Sequence, residues 1–353
     1  MSYDAVLLLA FGGPERMQDV RPFLRNVLAN RGVLANRSVL ANRGALANRG
    51  VLESDPDEVQ GPGARTSTPQ RIPEARFEEV VSHYARFGGC SPLNRLTTEQ
   101  AAALEREIEE RGLCASGDKG LPVRVGMRNW SPYIADVLHE MRDAGHRSVL
   151  ALIMSSLETE ASVARYRAAV AEARLRLGQA APEVDFAGGF HAAPGLVQTH
   201  VDHIREALAR LPPGERQTAK VAFTAHSIPK LMADQSPYVA QFESCARAVA
   251  AALGHARCLL CYQSRSGRAD EPWLEPDVND ALRTHAQSSS AAIVLAPIGF
   301  VCDHIEVLYD LDVQAAATAN RLGLSLLRAS TPNTHPAFVS ALADLVQRSM
   351  QAR

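Results

Sequence analysis

Two stretches of the sequence concentrate side chains able to do chemistry. His226 stands in Thr224-Ala-His-Ser-Ile-Pro229, at the end of the apolar run from Ala219 to Thr224. The second stretch, Asp303-His304-Ile305-Glu306 with Asp310 beyond it, follows another apolar run, Ala291 to Ala296, after breaks at Pro297 and Gly299. Open α/β sheets place their chemistry at the carboxyl ends of strands, so both stretches would open on one crevice if the two strands are neighbours. Imidazole and carboxylate together suit two tasks: binding a borderline divalent cation, or accepting a proton and passing it on. In a helical register Glu306 and Asp310 are four residues apart and share a face. Like charges on one face disfavour each other unless a cation or a proton joins them. The plainer reading, a solvated first helical turn rich in acids, stands level with this one on these residues alone. For His226 the plainer reading is a hydrogen-bonded core histidine.

Other chemistries find less support. No histidine pair has the spacing of a metalloprotease helix, and Ala225-His226-Ser227 is not a nucleophile elbow. Gly12-Gly13-Pro14 after the first apolar run lets a ligand approach the backbone, but lacks the rest of a dinucleotide or P-loop fingerprint. Cys258-Leu-Leu-Cys261, with Cys245 upstream, has metal-ligand spacing. The stretch is apolar and strand-like, where cysteine acts as a small hydrophobe, and strand alternation would turn thiols three apart to opposite faces. An iron–sulfur cluster on Cys245, Cys258 and Cys261 is therefore the lesser reading.

The elements that must position these residues alternate in a regular way. Asp4 to Phe11, Val123 to Met127, Ser148 to Met154, Val184 to Phe186, Ala219 to Thr224, Cys258 to Tyr262 and Ala291 to Ala296 read as strands, separated by helical patterns. The first is a continuous apolar run of the kind buried in parallel sheets. A mainly parallel, doubly wound α/β architecture follows. Between them, Val27-Leu-Ala-Asn-Arg-Gly32 begins a six-residue repeat, and Glu53 to Gln70 is rich in Pro, Gly, Asp, Ser and Thr. Six residues keep no helical face apolar for long, so 32–70 reads as a surface insertion without catalytic residues. The chain closes on a helix from Pro336 to Gln351.

With 353 residues the chain exceeds one ordinary core. Its net charge of −2 gives no footprint for a nucleic-acid partner. No window approaches the apolar length of a transmembrane helix, and the start Met-Ser-Tyr-Asp lacks a signal peptide's basic flank. A cytoplasmic protein with at most peripheral membrane contact is expected, its six scattered cysteines unpaired.

Seven stretches in order resemble the ferrochelatases: Leu9-Ala-Phe-Gly-Gly-Pro14, Tyr84-Ala-Arg-Phe-Gly-Gly-Cys-Ser-Pro-Leu93, Met127-Arg-Asn-Trp-Ser-Pro132, Thr224 to Pro229, Tyr262-Gln-Ser-Arg265, Pro272-Trp-Leu-Glu-Pro276 and Pro297 to Asp310. Each is weak alone, and the ordered set is specific. The resemblance implies two Rossmann-like, doubly wound domains with parallel sheets and a porphyrin cleft between them. The expected borders are 1–158, carrying the insertion at 32–70, then 159–325, with 326–353 as a helix packing back on the first domain. It implies His226 at the metal face of the macrocycle and Glu306 as the acid opposite it, both catalytic residues and metal ligands, with Asp310 catalytic too, next in a line for metal or protons. Phe11, Arg86, Ser91, Arg128, Asn129 and Trp273 are its porphyrin-binding candidates. Two pyrrole protons leave as the metal enters, so a base and a delivery route are both needed. Fe(II) is then a substrate and no cofactor is required. The expected activity is iron insertion into protoporphyrin IX by a monomer, with coproporphyrin III as the alternative substrate and a non-catalytic tetrapyrrole carrier as the alternative class. This chain departs from the family at Gln314, where a further acid is expected, and at Phe11, where some relatives carry Tyr or Met.

Overall fold

The computed structural model describes residues 3–30, 74–114, 120–255, 257–266, 270–288 and 292–353. The expected insertion at 32–70 lies outside these residues. Two units result: Pro14–Cys90, and Met1–Gly13 together with Ser91–Arg353.

The larger unit holds eight strands: β1 (Ala5–Ala10), β2 (Val123–Met127), β3 (Ser148–Ile153), β4 (Glu183–Phe186), β5 (Lys220–His226), β6 (Cys258–Gln263), β7 (Ile293–Ala296) and β8 (Leu326–Arg328). They form two sheets of the same design, β2-β1-β3-β4 and β6-β5-β7-β8, and every named pair is parallel. Parallel strands need long crossovers, which the helices between them supply. β1 is wholly buried because it is central and covered on both faces. Val6 and Leu8 feed the core under the helices Leu93–Glu110 and Pro336–Gln351, whereas Ala5, Leu7 and Leu9 feed the core under Ile134–Asp143 and Glu160–Leu177. In the second sheet Val221, Phe223 and Ala225 face one layer and Ala222 the other.

Sheet membership moves the expected borders. β4 follows the helix Glu160–Leu177 and pairs with β3, so a border at 158 divides the first sheet. β8, three residues too short to read from the sequence, pairs with β7 and so extends the second sheet past 325. The closing helix packs Phe338, Leu342 and Val346 into the core of the first sheet.

The smaller unit contributes two described helices, residues 17–30 and Glu74–Ala85. They meet through an edge-on contact of Phe23 and Tyr84 at 6.1 Å and a two-armed Arg21–Glu78 ion pair at 2.6 Å. No described helix is long and apolar enough to cross a membrane.

Candidate active site

The two sheets meet at their carboxyl edges. Ser156, just past β3, donates through Oγ to the carbonyl of Ile298, just past β7, at 3.5 Å, and Leu157 packs into the core of the second sheet. Within the second sheet β5 pairs directly with β7, so the chain leaving β7 must cross the end of β5. Gly299 makes that crossing. Its amide donates to Thr224 at 3.0 Å, and a Cβ there would stand 2.6 Å from Ala225 Cβ and 2.8 Å from Ala225 Cα. The close approach brings the 303–310 segment over His226.

His226 Nε2 lies 3.4 Å from Glu306 Oε2, and His304 Nε2 lies 3.6 Å from the same oxygen. His226 Nδ1 contacts the carbonyl of Ser227. A carbonyl only accepts, so Nδ1 carries the hydrogen and Nε2 is the atom that can gain a proton or hold a metal. The Tyr238 hydroxyl donates to the carbonyl of His226 at 2.8 Å, and Gln263 Nε2 to that of Glu306 at 3.3 Å, fixing both backbones. His226 and Glu306 stand opposite each other in one crevice with their atoms in contact, because β5 and β7, the strands that lead to them, are neighbours in one sheet.

Beyond Glu306 the chain widens into a π-helix, Leu308–Ala315. Asp310 sits within it and accepts a hydrogen bond from Ser264 Oγ. Ser264 follows β6 in a left-handed conformation, φ 64°, unusual for a residue with a Cβ. Asp303 instead turns to Arg328, at 3.1 Å, and Thr331, at 3.0 Å. Gln314 is exposed at the far end.

Charge is arranged in a gradient. Burial works against an imidazolium at His226, but Glu306 outweighs it, and the histidine holds its proton above its ordinary pKa. Burial works against ionised Glu306 likewise, and His226 and His304 together hold its carboxyl well below the usual range. Glu306 keeps 48% of its side chain accessible, so solvent and ligands reach this pair. Burial is the main cause that raises Asp310, with the charge of Glu306 adding and the Ser264 hydroxyl opposing, to about 6.

The other sequence candidates divide. Phe11, past the end of β1, is 38% exposed and offers a ring face, with the Arg128 guanidinium 5.1 Å from its centroid and 5.1 Å from that of buried Tyr166. Asn129 is fully buried and donates its amide to the Phe11 carbonyl at 3.0 Å, which holds Phe11 in place. The same turn needs Gly12, at φ 85°, where a Cβ would lie 3.0 Å from the Trp130 nitrogen. Ser91 is buried, its oxygen accepting from the Leu93 amide at 3.4 Å. Trp273 is also buried; its indole donates to Glu271 at 2.9 Å, and its strand segment pairs with Pro229, directly after the His226 turn. Arg86 is exposed on the smaller unit. The cysteines do not fit a cluster. Cys258 lies with buried Cys245 on one face of the second sheet, and Cys261 faces the opposite core, its thiol against the Phe223 carbonyl at 3.6 Å. Burial pushes the Cys245 thiol up to about 12, away from thiolate. His304 lies in the stretch that the sequence singles out but received no role there, because a residue two before Glu306 falls off its helical face; its contact with Glu306 supplies one.

The sequence profile of the Ferrochelatase family matches residues 51–350. The chain belongs to the ferrochelatase family. It is therefore a ferrochelatase, an enzyme that inserts metal into porphyrin, with porphyrin and metal as its substrates. Among its relatives are coproporphyrin III ferrochelatases of Mycolicibacterium smegmatis, 36% identical over 99% of this chain and 91% of the relative, and of Mycolicibacterium paratuberculosis, 39% identical over 98% and 88%. A Rhodopirellula baltica protein named simply ferrochelatase is 36% identical over 99% of this chain and 86% of its own. Among solved structures, Bacillus subtilis SirB with Fe3+ superposes on 71% of this ferrochelatase and 89% of its own chain with a TM-score of 0.52 at 10% identity, a likeness of fold alone.

Proposed function

We propose that this ferrochelatase inserts Fe(II) into coproporphyrin III, in place of the protoporphyrin IX first expected. Supporting that choice are the relatives named for coproporphyrin III, which match nearly the whole chain at 36–39% identity. For the chemistry the carrying observation is the contact of His226 Nε2 with Glu306 Oε2 at 3.4 Å on the open side of the carboxyl edge. Two donors ligating one ion at ~2.1 Å sit about this far apart when the angle at the metal is near tetrahedral. The pair is thus spaced to hold an arriving divalent ion, with His226 offering Nε2 and Glu306 a carboxylate.

Proton accounting assigns the rest. Before metal arrives, the pair shares one proton, held on His226. That proton leaves Nε2 as the atom takes the ion, and the porphyrin then releases two, of which the pair keeps one on returning to its starting state. The second needs an exit, and Asp310, coupled to Glu306 and titrating at about 6, is the next carboxyl along the segment. Phe11, backed by Arg128, supplies apolar surface for the macrocycle.

Purified protein given Zn(II) or Fe(II) with each porphyrin in parallel tests both parts. Coproporphyrin III is expected to show a kcat/KM at least ~10-fold above protoporphyrin IX; equal or better turnover of protoporphyrin IX would reverse the substrate assignment. His226→Ala and Glu306→Gln are expected to bind porphyrin but lose insertion by ~100-fold or more. Turnover surviving in both variants removes the pair from the mechanism.

A further inference from the structure

The wide-turn segment that carries Asp310 poses a mechanical problem. A π-helix is rare, usually a single turn, and recurs at functional sites because something else must enforce it. Here it runs for eight residues, Leu308–Ala315, directly after the short helical turn Ile305–Val307 that bears Glu306. One side chain from outside spans it. Arg328, the last residue of β8, donates from Nε to Asp312 at 2.7 Å and from Nη1 to Asp303 at 3.1 Å. Asp303 stands immediately before His304, and Asp312 two residues beyond Asp310. The guanidinium therefore grips the segment on both sides of its reactive groups.

The two grips differ in support. Asp303 is held several times over: its carboxylate also accepts from Thr331 at 3.0 Å, and its amide donates to Asn333 Oδ1 at 3.1 Å. Asn333 itself sits in the left-handed region, φ 45°, and its carbonyl accepts from Gln100, which also donates to the Val301 carbonyl, both at 2.9 Å. Asp312 is more exposed, 38% of its side chain, and Arg328 is the partner its carboxylate has among the described residues. Arg328 has only 16% of its side chain accessible, and its backbone is fixed by the pairing of β8 with β7. A rigid fork on a strand, anchored firmly at Asp303, thus sets where the far flank of the π-helix lies.

We infer that Arg328 is a positioning residue for metal insertion: holding Asp303 and Asp312 at once, it fixes the segment that presents Glu306 and Asp310. The inference rests on the assignment of those two carboxylates to insertion made above. It touches neither substrate, and acts through the segment alone. Lysine in its place keeps the charge and loses the fork, because one ammonium on a flexible stem does not reproduce two directed donors.

The test uses the full chain, Zn(II) and coproporphyrin III, with variants Arg328→Lys, Asp312→Asn, their double and Glu306→Gln. Arg328→Lys is expected to lower kcat ~10-fold with the porphyrin KM within ~2-fold, since misplacement of reacting groups costs rate and not ring binding. Asp312→Asn, at an accessible site that spares the core, is expected to lower kcat ~3-fold, and the double variant to fall no further than Arg328→Lys. Amide exchange in 308–315 is expected to speed at least ~10-fold in Arg328→Lys while that of β5 stays constant. If Arg328→Lys does not fold, the kcat of Asp312→Asn decides. Wild-type kcat in either folded variant, with or without faster exchange or a lowered Tm, makes Arg328 merely structural. An active Glu306→Gln would instead defeat the parent assignment, and the two failures are told apart by that one variant.

Discussion

Asp310 is a carboxyl whose titration falls where a proton relay would use it. Burial lifts it to about 6, and the Ser264 hydroxyl, donating to it, is the largest of the influences that keep it from rising further, with the charges of His226 and His304 adding to it. To take a proton from Glu306 it must be ionised, so turnover should climb as pH rises through about 6. Ser264→Ala removes the donor that favours the carboxylate and should move this limb to higher pH, while Asp310→Asn should abolish it; kcat for Zn(II) insertion against pH reads both. A limb unchanged in Asp310→Asn would take Asp310 out of the relay. The same group has a stability signature of definite sign. Its folded pKa is raised, so its contribution is complete below the ordinary value of 3.8 and is lost as pH rises through about 6. Glu306 has the opposite sign: its stabilisation is present above its ordinary 4.5 and is lost as pH falls. That His226 and Glu306 come together was legible from strand-end position, whereas their roles and that of Asp310 came from the family resemblance. Ser264 was not, since nothing in a serine's identity foretells a left-handed backbone, and that backbone is what aims its hydroxyl.

At the scale of elements, the strands read well because continuous apolar runs bounded by Gly and Pro have few other uses. β1 was expected over 4–11 and spans Ala5–Ala10; β2 matches its expected bounds; β5 runs on to include His226 itself. The π-helix was not readable. Its residues fit an α-helical pattern as well, and the contacts that flank the wider turn come from the end of β6 and from β8, distant in sequence. Gly299 shows how an element end sets site geometry. A methyl there would meet Ala225 backbone at 2.8 Å, and backbone cannot swing aside as a flexible side chain can. Gly299→Ala should therefore push the β7 exit off β5, destabilising the protein by about 1–3 kcal/mol and lowering kcat by parting Glu306 from His226. Urea unfolding gives the first quantity and insertion kinetics the second. Wild-type behaviour in both would mean that the crossing has slack the packing does not suggest.

On the scale of the molecule, two sheets of one design meet at their carboxyl edges, where Ser156 reaches the Ile298 carbonyl. The alternation of strands and helices announced the doubly wound class, but not which sheet each strand joins: β4 and β8 are too short to bias their own pairing, and register with β3 and β7 decides it. The closing helix starts beside the 301–303 segment and ends at the opposite edge. Arg111, at the end of the helix Leu93–Glu110, bonds Asp344 and Ser340, each at 2.6 Å, and Arg353 lies 4.6 Å over the ring of Tyr3, just ahead of β1. A helix that leads into β2 runs back against the strands, so its last turn marks the amino edge. Leu342, fully buried between these anchors, contributes packing to the first sheet's core and nothing to the site. Leu342→Ala should cost about 2–5 kcal/mol through lost transfer energy and the cavity left behind. That corresponds to a fall in Tm of about 3–7 °C for a chain of this size. At 25 °C, where the fold persists, kcat for metal insertion and the porphyrin KM should both stay within ~2-fold of the parent, because neither carboxyl edge is touched. A tenfold loss of kcat in folded Leu342→Ala would mean that the helix transmits strain along the first sheet to its far edge.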